Sequence, residues 1–150
     1  MVKLGVNSVL FKGVDFKTAA KAIKACGYDG VEISGIAGMC EHLNLSRWRE
    51  DKAELKAISE ELGLPFLSTE IASRDRERLL VAFEACAEIG IPIVNIGPGG
   101  KPDDEDSLKE VIEIMNILAE DAAQFGVTLC CKAHVGCAVY NTPTTLRLME

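Results

Sequence analysis

One pattern recurs four times and restricts what this chain can fold into. A helix-like stretch ends at a glycine, and a short apolar run rich in β-branched residues follows at once. Gly27 precedes Tyr28-Asp29-Gly30-Val31-Glu32-Ile33, and Gly63 precedes Leu64-Pro65-Phe66-Leu67-Ser68. Gly90 precedes Ile91-Pro92-Ile93-Val94-Asn95-Ile96, and Gly126 precedes Val127-Thr128-Leu129-Cys130-Cys131. Glycine just past a helix takes the left-handed conformation that closes it. Runs this short and this branched read as strands rather than more helix. A further strand is expected over about residues 3–7.

The intervening stretches carry helix signals. Asp15 is expected to cap a first helix through Cys26, and Asp51-x-x-Glu54 and Ser107-x-x-Glu110 have capping-box spacing. Ser73 is placed to cap a third helix. Leu108, Val111, Ile112, Met115 and Leu118 then form a stripe at helical spacing. Thr142-Pro143 opens a fifth helix, with proline at the favoured first position.

Alternating β and α elements give a parallel sheet with right-handed crossovers. Two architectures satisfy that order. One is a flavodoxin-like doubly wound sheet, which five strands suit. The other is part of a TIM (β/α)8 barrel. A doubly wound sheet buries both strand faces under helices, so both should be apolar. Here Val31, Ile33, Val94, Ile96, Leu129 and Cys131 alternate with Asn7, Glu32, Asn95, Lys132 and His134. The polar members gather toward the C-terminal strand ends, where barrel enzymes carry their chemistry. The barrel is the expected fold. A complete one needs about 250 residues, and no Gly, Asn or Pro closes the last stretch before Glu150. The expectation is therefore a single domain over 1–150, the N-terminal half or slightly more of a longer barrel, broken off in its fifth helix.

Charge and composition exclude other classes. The balance of 16 Lys and Arg against 23 Asp and Glu leaves −7, which disfavours phosphate backbones and anionic lipid as partners. No apolar run approaches the roughly 20 residues of a membrane span. The start, Met1-Val2-Lys3-Leu4-Gly5, lacks a secretory apolar stretch, so a cytoplasmic location is expected. The 6 cysteines contain no Cys-x-x-Cys pair, and reduced thiols are the default. Cys131-x-x-His134-x-x-Cys137 matches no common zinc spacing.

Lys132 and His134 lie two apart on the fifth strand and so share a face. Glu32 ends the second strand on the same inferred face, where a carboxylate can act as a base, a ligand or an acceptor for sugar hydroxyls. These three are the candidate catalytic residues. Asn7 and Asn95, at the ends of the first and fourth strands, offer both donors and acceptors. They are assigned to substrate binding together with Glu70 and with His42, which sits in the long loop after the second strand. Gly97-Pro98-Gly99-Gly100-Lys101 lacks the phosphate-loop pattern. The acidic run at 103–106 would repel phosphate and suits a helix N-terminus instead. This loop is read as a flexible wall beside the substrate.

The strand sequences resemble a known family. The run at 28–33 after Gly27 is similar to the second strand of the xylose isomerase-like barrels, the sugar phosphate isomerases and epimerases, whose superfamily also contains apurinic endonucleases. Residues 93–99 are similar to their fourth strand. Residues 129–136 are similar to their fifth, where Glu-Asn-His-x-Gly is typical. The resemblance implies a (β/α)8 barrel and a divalent metal, Mn, Mg, Co or Zn. It also implies proton transfer between adjacent carbons of a sugar through an enediolate. Lys132 stands where that pattern has its metal-ligand Glu, Ala133 replaces the Asn, and His134 and Gly136 match. An ammonium repels a cation, so metal dependence is in doubt and no metal ligands are assigned. Lys132 can instead stabilise an enediolate oxyanion.

The expected activity is sugar or polyol isomerisation or epimerisation, with sugar phosphates included. The alternative is a non-catalytic sugar-binding or regulatory barrel of the same superfamily. The expected partner is a small-molecule carbohydrate, with no nucleic acid and no membrane, and homo-oligomer formation is open. The nuclease branch needs several strand-end histidines, and only His134 is offered there.

Overall fold

A computed structural model describes residues 2–150. Strands β1 (Gly5–Asn7), β2 (Gly30–Ile36), β4 (Phe66–Glu70), β5 (Ile93–Ile96) and β6 (Thr128–Cys131) form one parallel sheet in that order. A two-residue strand, β3 (Cys40–Glu41), folds back antiparallel on the end of β2. The helices are α1 (Phe16–Ala25), α2 (Trp48–Leu62), α3 (Arg76–Ile89), α4 (Glu105–Gln124) and α5 (Thr142–Met149).

Strand order decides between the two expected architectures. A doubly wound sheet reverses direction part-way, which puts helices on both faces. Here each new strand adds beside the last, so right-handed crossovers carry every helix to the same face. The sheet is part of a TIM barrel, and the flavodoxin-like alternative is corrected on this ground. Val31, Ile33, Val94 and Ile96 turn to the helices and are fully buried. The core is packed there, against Ile23, Ile58, Leu79, Phe83 and Leu118.

The helix-closing glycines behave as expected, with φ of +83° at Gly27, +54° at Gly63, +93° at Gly90 and +69° at Gly126. Asp15 caps α1, accepting from Thr18 N at 2.9 Å. Three other caps differ from expectation. α2 starts at Trp48, a turn before the Asp51-x-x-Glu54 motif, and Arg47 precedes it without a side-chain cap. The burial of Trp48 sets this start, and Arg47 bonds Asp51 at 3.1 Å one turn on. α3 is capped by Asp75, which accepts from Arg78 N, while Ser73 Oγ accepts from Asp75 N. α4 is capped by Asp104, which accepts from Ser107 N, and Ser107 Oγ accepts from Lys101 N. In the last two, an aspartate in the preceding loop displaces the expected serine, since aspartate caps at least as well and adds charge to the helix dipole. α5 has a full capping box between Asn141 and Thr144.

The concave face is built in two levels. At the lower level Gly5 and Gly30 are paired and leave room for the Leu67 side chain. The β2–β4 pairing then slips: Val31 matches Phe66, but Glu32 matches Ser68. Leu67 is the extra residue of a β-bulge. Because of it, Phe66 stacks on Phe16 on the helix side, yet Ser68 and Glu70 turn to the concave face with Glu32. The upper level, at the strand ends, is entirely polar.

Candidate active site

Five strands deliver one residue or more each to this upper level. Asn7 comes from β1, Glu32 from β2, Ser68 and Glu70 from β4, and Asn95 from β5. Lys132 follows β6, held by its backbone N–H to Ile96 O at 2.9 Å. The side chains form one connected network. Asn7 Nδ2 donates to Glu32 Oε2 at 2.8 Å and to Glu70 Oε2 at 2.7 Å. Both amide hydrogens are thereby used, and Asn7 Oδ1 accepts from Val9 N at 2.9 Å, which fixes the amide's orientation. Glu32 Oε1 accepts from Ser68 Oγ at 2.9 Å and from Asn95 Nδ2. Glu70 Oε1 accepts from the Lys132 ammonium.

Two carboxylates are thus held against their mutual repulsion by three neutral donors and one cation. The Glu70 side chain is 14% exposed and that of Lys132 is 50% exposed, so the pair sits at the boundary between packed sheet and solvent. Beside it opens a cavity of about 370 Å³, lined by Glu70, Arg74, Gly97, Gly99, Lys132 and His134 among others. His134 lies on its rim, with Nδ1 2.8 Å from Val135 O. A carbonyl can only accept, so Nδ1 carries the proton and Nε2 is left as an acceptor.

The structure therefore brings Asn7, Glu32, Glu70, Asn95 and Lys132 into one network and sets His134 at its edge. His42 is elsewhere. Its ring leans on Phe16 with centroids 5.7 Å apart, Nε2 donates to Val14 O at 2.9 Å, and Nδ1 accepts from Ser8 Oγ at 2.9 Å. With both nitrogens engaged in tying the first loop to β3, His42 stands apart from the strand-end network that its assignment to substrate binding expected it to join. Ser68 and Arg74 are residues that sequence reasoning missed. Ser68 sits two positions before Glu70, which the bulge places on the same face. Arg74 follows four after Glu70, in the loop over the strand ends.

The donors do not make a cation site. Every oxygen of Glu32 and Glu70 already accepts a hydrogen bond, and a fixed ammonium occupies the position facing Glu70. Among the described residues no three His, Cys, Asp or Glu side chains converge in a metal-holding arrangement. No helix among them is long and apolar enough to cross a membrane.

A family model described as xylose isomerase-like TIM barrel matches residues 20–150. No curated protein matches the chain. Among solved structures, 3-keto-D-glucoside 4-epimerase from E. coli aligns with a TM-score of 0.77 at 18% identity, over 99% of this chain and 64% of that one. D-allulose 3-epimerase from Methylomonas sp. aligns at 0.71 and 18%, over 99% and 58%. A xylose isomerase-like TIM barrel protein from Mycobacterium smegmatis, in complex with magnesium, aligns at 0.75 and 14%, over 98% and 60%. At such identities the likeness is one of fold. The chain spans 58% to 64% of the length of these structures.

Proposed function

We propose, for a chain that belongs to the xylose isomerase-like TIM barrel family, that the strand-end network isomerises or epimerises a sugar or polyol by moving a proton on carbon. The observation that carries this reading is the pair of carboxylates, Glu32 and Glu70, bridged by one Asn7 amide with Lys132 beside them. One carboxylate removes the proton from the carbon next to a sugar carbonyl. The electron pair moves onto the carbonyl oxygen, giving an enediolate. The Lys132 ammonium stabilises the oxyanion, as a preorganised charge does. The proton then returns to the opposite face of the same carbon in an epimerase, or to the neighbouring carbon in an isomerase. Asn95 and His134 bond substrate hydroxyls in this reading. A D-allulose 3-epimerase and a 3-keto-D-glucoside 4-epimerase among the fold relatives support the substrate class.

A divalent metal, such as the magnesium bound in one fold relative, would supply Lewis-acid polarisation of a sugar oxygen. The donors of this chain do not fit one, and no step here runs through it. The open edges of the sheet at β1 and β6 support the other half of the reading, in which further βα units close the ring against them.

The test is solvent exchange. Aldoses and ketoses are incubated in D2O with the full chain, and deuterium at the carbon beside the carbonyl is read by NMR. Glu32→Gln and Glu70→Gln should each abolish incorporation. Sugar binding without exchange in the unaltered protein would favour the non-catalytic barrel.

A further inference from the structure

Resting on that reading, we infer that the cavity beside the Lys132–Glu70 pair binds an anionic oxygen group of the substrate, a phosphate or a carboxylate, with Arg74 as its principal contact. The cavity, at about 370 Å³, has the size of a small-ligand site. Its two cations, Arg74 and Lys132, face one carboxylate, Glu70, so its wall is net positive in a chain of charge −7.

Arg74 is preorganised for such a group. One of its five N–H donors goes to Pro98 O at 3.2 Å, and the guanidinium makes no ion pair among the described residues. It lies where a β-carbon on Gly99 would project, so the absence of a side chain there gives the guanidinium its place. The backbone N–H groups of Gly97 and Gly99, on the same wall, have no acceptor among the described residues. A planar cation beside unpaired amides matches the oxygens of a phosphate or carboxylate. His134 also lines the cavity, where its ring is suited to a hydroxyl next to the anionic group.

The acidic run at 103–106, expected to repel phosphate, is committed elsewhere. Asp103 accepts from Tyr140 Oη at 2.5 Å, Asp104 caps α4, Glu105 pairs with Arg147 at 2.6 Å, and Asp106 lies 3.8 Å from Lys109. None of the four lines the cavity. The loop at 97–101 thus lines the cavity through Gly97 and Gly99, while the acids that follow it bond elsewhere.

The experiment titrates the full chain with inorganic phosphate, a hexose phosphate, a hexuronate and a neutral hexose, following amide shifts by NMR. The expected result is movement of the Gly97 and Gly99 amides with the anionic probes. Arg74→Gln should weaken that binding by roughly tenfold or more, the loss of one charge-assisted contact, and Arg74→Lys should recover part of it. The hexose phosphate and hexuronate arms distinguish the two anionic groups. Circular dichroism confirms that each variant folds. No shift at Gly97 and Gly99 with any anion, shifts indifferent to Arg74→Gln, or a neutral hexose binding as tightly as the anions would each overturn the inference. Deuterium exchange on the hexose phosphate and the hexuronate that is untouched by Arg74→Gln defeats the anion site while leaving the isomerase reading intact. Anion binding at Arg74 with no exchange on any sugar does the reverse.

Discussion

The Lys132 ammonium bonds the Glu70 carboxylate over the top of β5, joining the ends of two strands that are not neighbours in the sheet. The pair fixes a positive charge at the mouth of the barrel and ties the newest strand to the older part of the site. Its half-exposed lysine contributes little to stability, since such pairs are worth about 0–1 kcal/mol. Lys132→Ala should therefore leave the melting temperature nearly unchanged while lowering turnover by a factor on the order of 10²–10³. Equal turnover in the variant, measured on a substrate found by deuterium exchange, would remove Lys132 from the chemistry. Lys132→Glu places a third carboxylate beside Glu70, and calorimetric titration with Mn2+ should then detect binding that the unaltered chain lacks.

Asn7 separates two carboxylates by giving each a hydrogen. Asn7→Asp removes both donors and adds a like charge between them. The expected cost at neutral pH is about 1–3 kcal/mol, the range for stranding a charged group's partner. Crowded carboxylates hold their protons more tightly, so the deficit should shrink as pH falls toward 5. Urea unfolding at the two pH values checks both the size and the sign.

Gly5 and Gly30 share Leu67 as a neighbour but differ in what else is near. A β-carbon on Gly5 meets only the tip of Leu67 at 2.7 Å, whereas one on Gly30 also meets the backbone oxygen of Pro65 at 2.7 Å. Gly30→Ala should cost about 1–3 kcal/mol, the usual range for overpacking, and Gly5→Ala clearly less. Adding Leu67→Ala should rescue the first-strand variant and not the second. Thermal melts of the four proteins decide it.

Asp121, on α4, accepts two hydrogen bonds from Arg76, at 2.6 and 2.9 Å. Those bonds, with the charge of Arg76 behind them, hold its carboxyl below the ordinary value of 3.8. A carboxyl lowered on folding stabilises the native state above its unfolded value, and that stability is lost as pH falls through the folded one. Stability should thus drop on acidification below about pH 4. Asp121→Asn should flatten that limb, which an acid titration followed by circular dichroism will reveal.

The fold was legible because its punctuation is local. Four glycines close four helices, and the apolar parity of Val31, Ile33, Val94 and Ile96 marks the packed side. Much of the site was legible for the same reason, since Glu32, Asn95 and Lys132 sit at strand ends on the opposite parity. What local pattern does not carry is contact between distant parts. His42 was assigned by its loop, but its role is set by Ser8 and Val14, some thirty residues away. Ser73 and Ser107 were plausible caps until neighbouring aspartates proved better placed. Arg74 had no motif at all, and only the folded loop at 97–101 gives it meaning.

The bulge at Leu67 has a consequence for how this site varies. Which side of the sheet Glu70 reaches depends on a count of residues, not on the identity of any of them. A library of substitutions preserves that count and would never expose it. Losing the Leu67 codon would straighten the bulge and leave Phe66 and Ser68 on their opposite faces, whereas losing the Thr69 codon would turn Glu70 into the helical layer. Within one short strand, a one-residue shortening should therefore be absorbed at Leu67 and lose the site at Thr69.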